Sequence, residues 1–225
     1  MGDAMDELIA GYRRFRAETW ARERDRFETL AERGQSPRVL VVACSDSRVD
    51  PQMIFSAAPG ELFVVRNVAN LVPPYQPDAA YHGTSAALEF GVRVLGVWHL
   101  VVLGHELCGG VRALLEGMPP GTEDFVAGWM GIAREARARV LLRCEAVSDE
   151  ERQEAGEQEA VRLSLENLMT FPWIREAVEA GRLRLHGAHF GIPSGTLRLL
   201  GEAGDFAPVP DTVPDDQRPF GGSNR

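Results

Sequence analysis

The chain has 225 residues, of which 44% are hydrophobic and 25% charged; that is enough to build the core of one α/β domain and too apolar for wholesale disorder. A formal net charge of −9 excludes a nucleic-acid surface, which needs a basic patch to displace counterions. All 24 basic side chains are Arg, so Schiff-base chemistry on a lysine is excluded too.

The first ten residues lack the basic-then-apolar order of a signal peptide, and no apolar run reaches membrane-spanning length. A cytoplasmic location is the expectation. From Asp6 to Arg33, Leu8, Tyr12, Phe15, Phe27 and Leu30 recur near helical spacing, which predicts an amphipathic N-terminal helix with room for one break. Gly34 to Pro37 ends it, since Gly suits a helix C-terminus and Pro cannot continue one.

Val39 to Ala43 is a short apolar, β-branched run, the pattern of a strand buried on both faces. Leu62 to Val65 is a second such run and Trp98 to Leu103 a third, with a helix predicted between Ala79 and Leu95. Gly110 to Glu116, Val126 to Leu142 and Gln158 to Ala180 read as helical, the last with a break near Pro172. Leu183 to Phe190 supplies a further strand. Strands alternating with helices predict an α/β fold of Rossmann-like form, its central sheet mostly parallel and flanked by helices. One domain over residues 1–204 is expected, with residues 1–34 as a helical arm. Residues 205–225, rich in Pro, Asp and Gly, are expected to form a loosely ordered tail.

Three cysteines, Cys44, Cys108 and Cys144, are too few and too scattered for a disulfide framework. Two of them lie in informative segments, Cys44-Ser45-Asp46-Ser47-Arg48 and Gly104-His105-Glu106-Leu107-Cys108-Gly109-Gly110. Each follows a predicted buried strand, and loops leaving the carboxyl ends of parallel strands form a ligand crevice where the strand order reverses. Cys44, His105 and Cys108 can therefore meet. Two thiolates and an imidazole suit zinc, and three protein ligands leave a fourth position open for catalysis. Zinc lowers the pKa of bound water to about 7, which gives a hydroxide nucleophile. Asp46 and Arg48 are close enough to pair over the metal. Tied to Arg48, Asp46 can orient that hydroxide; released, it can become the fourth metal ligand.

Plainer readings fit the other candidates. Cys144, without a partner motif, reads as a small buried apolar residue. His82 and His99 read as surface or capping residues, and His186 and His189 as rings on the faces of a strand. The acidic run from Ser148 to Glu159 reads as a solvated helix start. Gly191 to Gly195 reads as a turn, because its spacing is wrong for a phosphate loop.

The segments Ala43-Cys44-Ser45-Asp46-Ser47-Arg48-Val49 and Pro59-Gly60-Glu61-Leu62-Phe63-Val64-Val65-Arg66-Asn67-Val68-Ala69-Asn70 closely resemble the β-class carbonic anhydrases. The likeness runs from about Gly34 to Leu115, with a weaker echo at Leu185 to Leu197. It implies zinc bound by Cys44, His105 and Cys108, with Asp46 and Arg48 as the catalytic dyad. The activity implied is reversible hydration of carbon dioxide to bicarbonate by zinc hydroxide attack. It also implies a homodimer or an assembly of dimers, in which N-terminal helices embrace the partner and active sites lie at the interface.

Within that family the chain resembles the plant-like subtype. Gln35 matches a glutamine that donates to substrate, and Phe63, Val68 and Gly109 match the apolar wall and backbone donor of the pocket. Val41 and Ala43 stand where the bicarbonate-regulated subtype has Trp and Gly, so no regulatory site of that kind is expected. Two positions depart from the pattern: Phe90 replaces a pocket Tyr, and Glu106, expected to face solvent or an ion pair, replaces Ser or Thr. The alternatives are a carbonyl sulfide or carbon disulfide hydrolase on the same scaffold, and a zinc-binding regulatory protein without catalysis. A nucleotide-binding module lacks its glycine fingerprint here.

Overall fold

A computed structural model describes residues 3–78, 80–144 and 147–212, in two compact units that divide between Ser36 and Pro37. The first unit consists of α1 (Ala4–Arg14) and α2 (Trp20–Arg33), joined by a π-helical turn over Phe15–Thr19. Asp3 caps α1 by accepting from the Met5 N–H at 3.1 Å. Gly34, at φ 79°, ends α2. The break anticipated in the arm is thus a widened turn. No described residue of this unit is buried, and Leu8, Ile9 and Tyr12 of α1 are exposed.

The second unit runs, in chain order, through β1 (Val39–Cys44), α3 (Pro51–Ile54), β2 (Leu62–Asn67), α4 (Gly83–Glu89), β3 (His99–His105) and α5 (Gly109–Glu116). It continues through α6 (Val126–Met130), α7 (Arg134–Arg143), α8 (Asp149–Leu168), α9 (Pro172–Glu179), β4 (Arg184–Phe190), β5 (Leu197–Leu200) and β6 (Phe206–Pro208). The sheet order is β2-β1-β3-β4-β5-β6. β2, β1, β3 and β4 are parallel, and β5 and β6 add antiparallel at one edge. The chain winds outward from β1 to β2 on one side and to β3 on the other, so the reversal falls between β1 and β3. Ala43 pairs with Leu103 there, which places Cys44 and His105, the last residues of their strands, at one crevice.

β1 is buried on both faces, as its composition requires. Leu40 and Val42 pack with Leu100, Val102, Val161 and Phe171, while Val41 and Ala43 pack on the opposite face with Leu103 and Ala188. The helix α8 lies so close to β3 that a Cβ added at Gly104 would meet Val161 Cγ2 at 2.7 Å. A glycine is needed at that position. No helix among the described residues is long and apolar enough to cross a membrane.

Several elements differ from the sequence reading. The helix placed between Ala79 and Leu95 begins at Gly83 and closes in a π-helical turn over Phe90–Val94; Ala79 lies outside the described residues. The segment from Val126 to Leu142 is two helices separated by a 3-10 turn at Gly131–Ala133. α8 starts earlier than Gln158, because Ser148 and Glu151 form a reciprocal capping box at its N-terminus. The acidic run is a helix start that is exposed from Ser148 to Glu151 as expected, but further along it Glu157 and Glu159 are buried. Glu159 is offset by Arg139 at 3.0 Å and Arg162 at 3.3 Å. The expected tail also needs correcting. Phe206–Pro208 forms β6, paired with β5 through Leu199 and Ala207, because pairing at a sheet edge satisfies backbone groups that local composition does not reveal. Residues 213–225 lie outside the described residues.

Candidate metal centre

Cys44 ends β1, His105 ends β3, and Cys108 caps the N-terminus of α5. One ligand atom from each lies within 4.8 Å of the others, and all three residues are buried. His105 Nδ1 is 2.9 Å from the Glu106 carbonyl, so Nδ1 carries the hydrogen and donates. Nε2 is left buried with no hydrogen-bond partner among the described residues. An orphaned imidazole nitrogen facing two buried thiols is costly without a cation and satisfied by one. The donor set fits zinc with one position open.

The protonation of the thiols points the same way. Cys44 is pulled down to about 4, chiefly by a hydrogen bond from Cys108, against the effect of burial and with help from His105 and the backbone N–H groups of Asp46 and Ala69. Cys108 is pushed up by sharing its hydrogen with Cys44 and by burial. The two sulfurs thus face each other closely enough for Cys108 to donate to Cys44, as two ligands aimed at one point do. Burial lowers His105, but Cys44, the Glu106 carbonyl and Asp46 together outweigh it and the net shift is upward.

Asp46 lies outside this trio and is held by Arg48. Arg48 Nε donates to Asp46 Oδ1 at 2.9 Å and Nη2 to Oδ2 at 2.7 Å, a fork-to-fork pair. The pair keeps the Asp46 carboxyl well below the usual carboxylate range. Arg48 Nη2 also donates to the Leu107 carbonyl at 3.1 Å, which ties the Cys44 loop to the segment carrying Cys108. Leu107 itself holds a left-handed φ of 59°, a strain of about 1–3 kcal/mol for a residue that is not glycine.

Sequence reasoning passed over Arg66 and the α8 contacts. Arg66 Nε donates to the Cys44 carbonyl at 2.9 Å, and its Nη2 to the carbonyls of Asp46 and Val49 at 2.7 and 3.1 Å. The loop that carries the dyad is thus wrapped around one guanidinium. The Cys108 backbone N–H donates to Glu157 Oε1 at 2.9 Å, and its carbonyl accepts from Gln153 Nε2 at 3.0 Å. Arg66 stood inside a recognised motif without a role. Glu157 and Gln153 had no signal beyond their acidic surroundings.

The expected pocket residues are divided. Val68 and Gly109 lie beside the trio: Ala69, next to Val68, donates its N–H to Cys44, and Gly109 opens α5 directly after Cys108. Val68 also borders an open groove of about 980 Å³, with Trp129, Phe125 and His82. Phe63 and Phe90 stack on each other with ring centroids 5.9 Å apart. Phe63 is four residues before Asn67, the residue paired with Cys44, so it lies about 13 Å down the strand. One chain does not bring these rings to the metal centre. Gln35 belongs to the N-terminal unit.

The remaining candidates find local partners. His82 Nε2 is 2.7 Å from Asp78 Oδ1, His99 pairs with His186 at 2.9 Å, and His189 reaches Glu157. His99 is therefore not a cap. Cys144 follows α7 as its half-buried cap. Glu106 is half-buried and forms no ion pair with another described residue. It borders an acidic cavity of about 350 Å³ with Arg112 and Glu154.

The carbonic anhydrase family model matches residues 39–197 of the chain. The chain belongs to the β-carbonic anhydrase family. It is 40% identical to a carbonic anhydrase from Pseudomonas aeruginosa over 87% of each chain. It is 36% identical to beta carbonic anhydrase 3 from Arabidopsis thaliana, over 88% of this chain and 77% of that one, in keeping with the plant-like pattern of its pocket residues. Among solved structures, that of the β-carbonic anhydrase CcaA superposes with a TM-score of 0.86 at 35% identity, covering 92% of this chain and 100% of that one. A structure from a study of two tetrameric β-carbonic anhydrases of Sordaria macrospora gives a TM-score of 0.79 at 30% identity, covering 89% and 98%. The fold, the enzyme class and the zinc cofactor follow from this membership together with the Cys44, His105 and Cys108 cluster.

Proposed function

We propose that the chain hydrates carbon dioxide reversibly to bicarbonate and a proton, in the cytoplasm, using one zinc ion held by Cys44, His105 and Cys108. The observation that carries this reading is the buried pair of thiols facing an unpartnered imidazole nitrogen, with the Asp46 and Arg48 pair alongside. Zinc supplies Lewis acidity that brings a water pKa to about 7. Asp46, kept ionised by Arg48, accepts a hydrogen bond from the attacking water and turns its lone pair toward the carbon. The same pairing holds the Asp46 carboxylate on Arg48; released from it, Asp46 could serve as a ligand to the metal in place of water, and the enzyme would then be inactive.

Val68 forms the apolar wall beside the reacting carbon, the Gly109 N–H donates to substrate oxygen, and Gln35 donates through its amide. Phe63 and Phe90 reach a metal centre from a second copy of the chain, in a homodimer or an assembly of dimers. Two facts favour that assembly: Phe63, with Phe90 stacked on it, lies far down β2 from its own Cys44, and α1 exposes Leu8, Ile9 and Tyr12.

Stopped-flow hydration of carbon dioxide on metal-quantified protein, across a pH range bracketing about 7, tests the reading. Activity rising with pH is expected. Zinc-loaded protein inactive throughout, or faster on carbonyl sulfide than on carbon dioxide, would refute it.

A further inference from the structure

Cys108 is gripped from both sides of its peptide by one helix. Gln153 and Glu157 are one turn apart on α8 and so share a face. Glu157 Oε1 accepts from the Cys108 N–H at 2.9 Å, and Gln153 Nε2 donates both to the Cys108 carbonyl at 3.0 Å and to Glu157 Oε1 at 2.7 Å. The other carboxylate oxygen, Glu157 Oε2, lies 3.1 Å from His189 Nε2. A carboxylate only accepts, so Nε2 carries the hydrogen. Glu157 is 1% exposed and His189 0%. The ring of Phe206, on β6, stands edge-on to His189 at 6.2 Å between centroids. A carboxylate this deeply buried is tolerated only when hydrogen-bonded, and Glu157 accepts three hydrogen bonds. One of them goes to the backbone of a metal-ligand residue.

We propose that Glu157, supported by Gln153 and His189, is a positioning residue that fixes Cys108 for zinc through the peptide of Cys108. The segment needs such a hold. Leu107 is in a left-handed conformation, α5 begins at Gly109, and the sulfur of Cys108 must stay aimed at His105 Nε2 and Cys44 while the chain reverses direction. Glu157 reaches Cys108 directly through the Cys108 N–H and also through Gln153, which bridges Glu157 Oε1 to the Cys108 carbonyl, so its influence passes through the peptide groups of Cys108. The proposal rests on the reading of the trio as a zinc centre.

The test measures zinc affinity by chelator competition, and the thiolate-to-cobalt absorption of cobalt-substituted protein, in wild type, Glu157→Ala, Glu157→Gln and Gln153→Ala. Circular dichroism establishes folding. Glu157→Ala is expected to lower zinc affinity about 10–100-fold, the range for orienting partners of metal ligands, and to alter the cobalt spectrum. Glu157→Gln keeps Oε1 for the Cys108 N–H, and its amide NH2 donates to His189 Nε2 once the ring carries its hydrogen on the otherwise unpartnered Nδ1, so it is expected to recover most of the affinity. Gln153→Ala is expected to show a smaller loss, because the Arg112 N–H still donates to the Cys108 carbonyl at 2.9 Å. Folded Glu157→Ala with wild-type affinity and spectrum overturns the proposal; should that variant not fold, the same result for Gln153→Ala does so. Equal losses in Glu157→Ala and Glu157→Gln also overturn it, by tying the effect to charge. Wild-type protein that shows no thiolate-to-cobalt bands overturns the zinc centre itself, which separates the two failures.

Discussion

At the end of β1, the backbone around Cys44 is held by residues close in sequence or on the adjacent strand. Arg48 grips Asp46, and Arg66 on β2 collects the carbonyls of Cys44, Asp46 and Val49. At the end of β3, Cys108 is held from 45 and 49 residues away, by Gln153 and Glu157 on α8. The first half of the centre is organised by charge at a partly exposed loop, the second by buried hydrogen bonds. A half built from a short motif carries its own instructions, whereas a half built from a packed helix depends on the whole domain folding correctly.

The largest effect expected is at the ligands themselves. Cys108→Ala removes one of three protein ligands, and loss of both bound zinc and measurable hydration is expected, by metal analysis and stopped flow. Asp46→Ala should separate metal holding from chemistry: zinc content stays near one per chain while the rate falls about 10²-fold. Retention of full activity would remove Asp46 from the mechanism.

Acidification probes the thiols shared between the two halves. Because Cys44 and burial hold the Cys108 proton, zinc must displace it, and affinity should fall as pH falls, about tenfold per unit for each proton released. Competition titrations on either side of neutrality check the slope. Arg66→Ala strips donors from three carbonyls and is expected to destabilise the protein by about 2–3 kcal/mol in denaturant melts. Its zinc affinity should drop less than in Glu157→Ala, if the remote grip is the stronger one. The smallest effect belongs to Ser148→Ala, which loses the α8 capping box at about 1 kcal/mol. Unchanged zinc affinity in that variant would show that α8 holds Cys108 locally and does not transmit fraying from its end.

Much of this was legible in the sequence. The runs around Leu40 and Val101 are apolar and β-branched because β1 and β3 are covered by layers above and below, and burial of that kind writes itself into composition; the run around Phe63 has the same composition, yet β2 is an edge strand of which only Leu62 is buried. Cys44, Asp46, Arg48, His105 and Cys108 stood out because their chemistry is rare and their places at strand ends are predictable. β5 and β6 were not legible: four and three residues long, one ending in Pro208, they exist only because a neighbouring edge pairs with them. Glu157 was hidden for a related reason. In an acidic stretch it looks like any surface glutamate, and only the helix phase that turns it toward Cys108 and His189 sets it apart from Glu150 or Glu154. Phe63 and Phe90 matched a pocket by pattern, yet a single chain gives them no place in it.

The left-handed backbone at Leu107 has a bearing on protein engineering. Gly at this position would relax the turn, so a selection that rewards heat resistance alone would favour Leu107→Gly. Such clones would arrive with a looser hinge between His105 and Cys108, stable as polypeptides and leaky as metalloproteins. A thermostability screen on this scaffold therefore needs a parallel screen for zinc retention, because its two objectives pull in opposite directions at one residue.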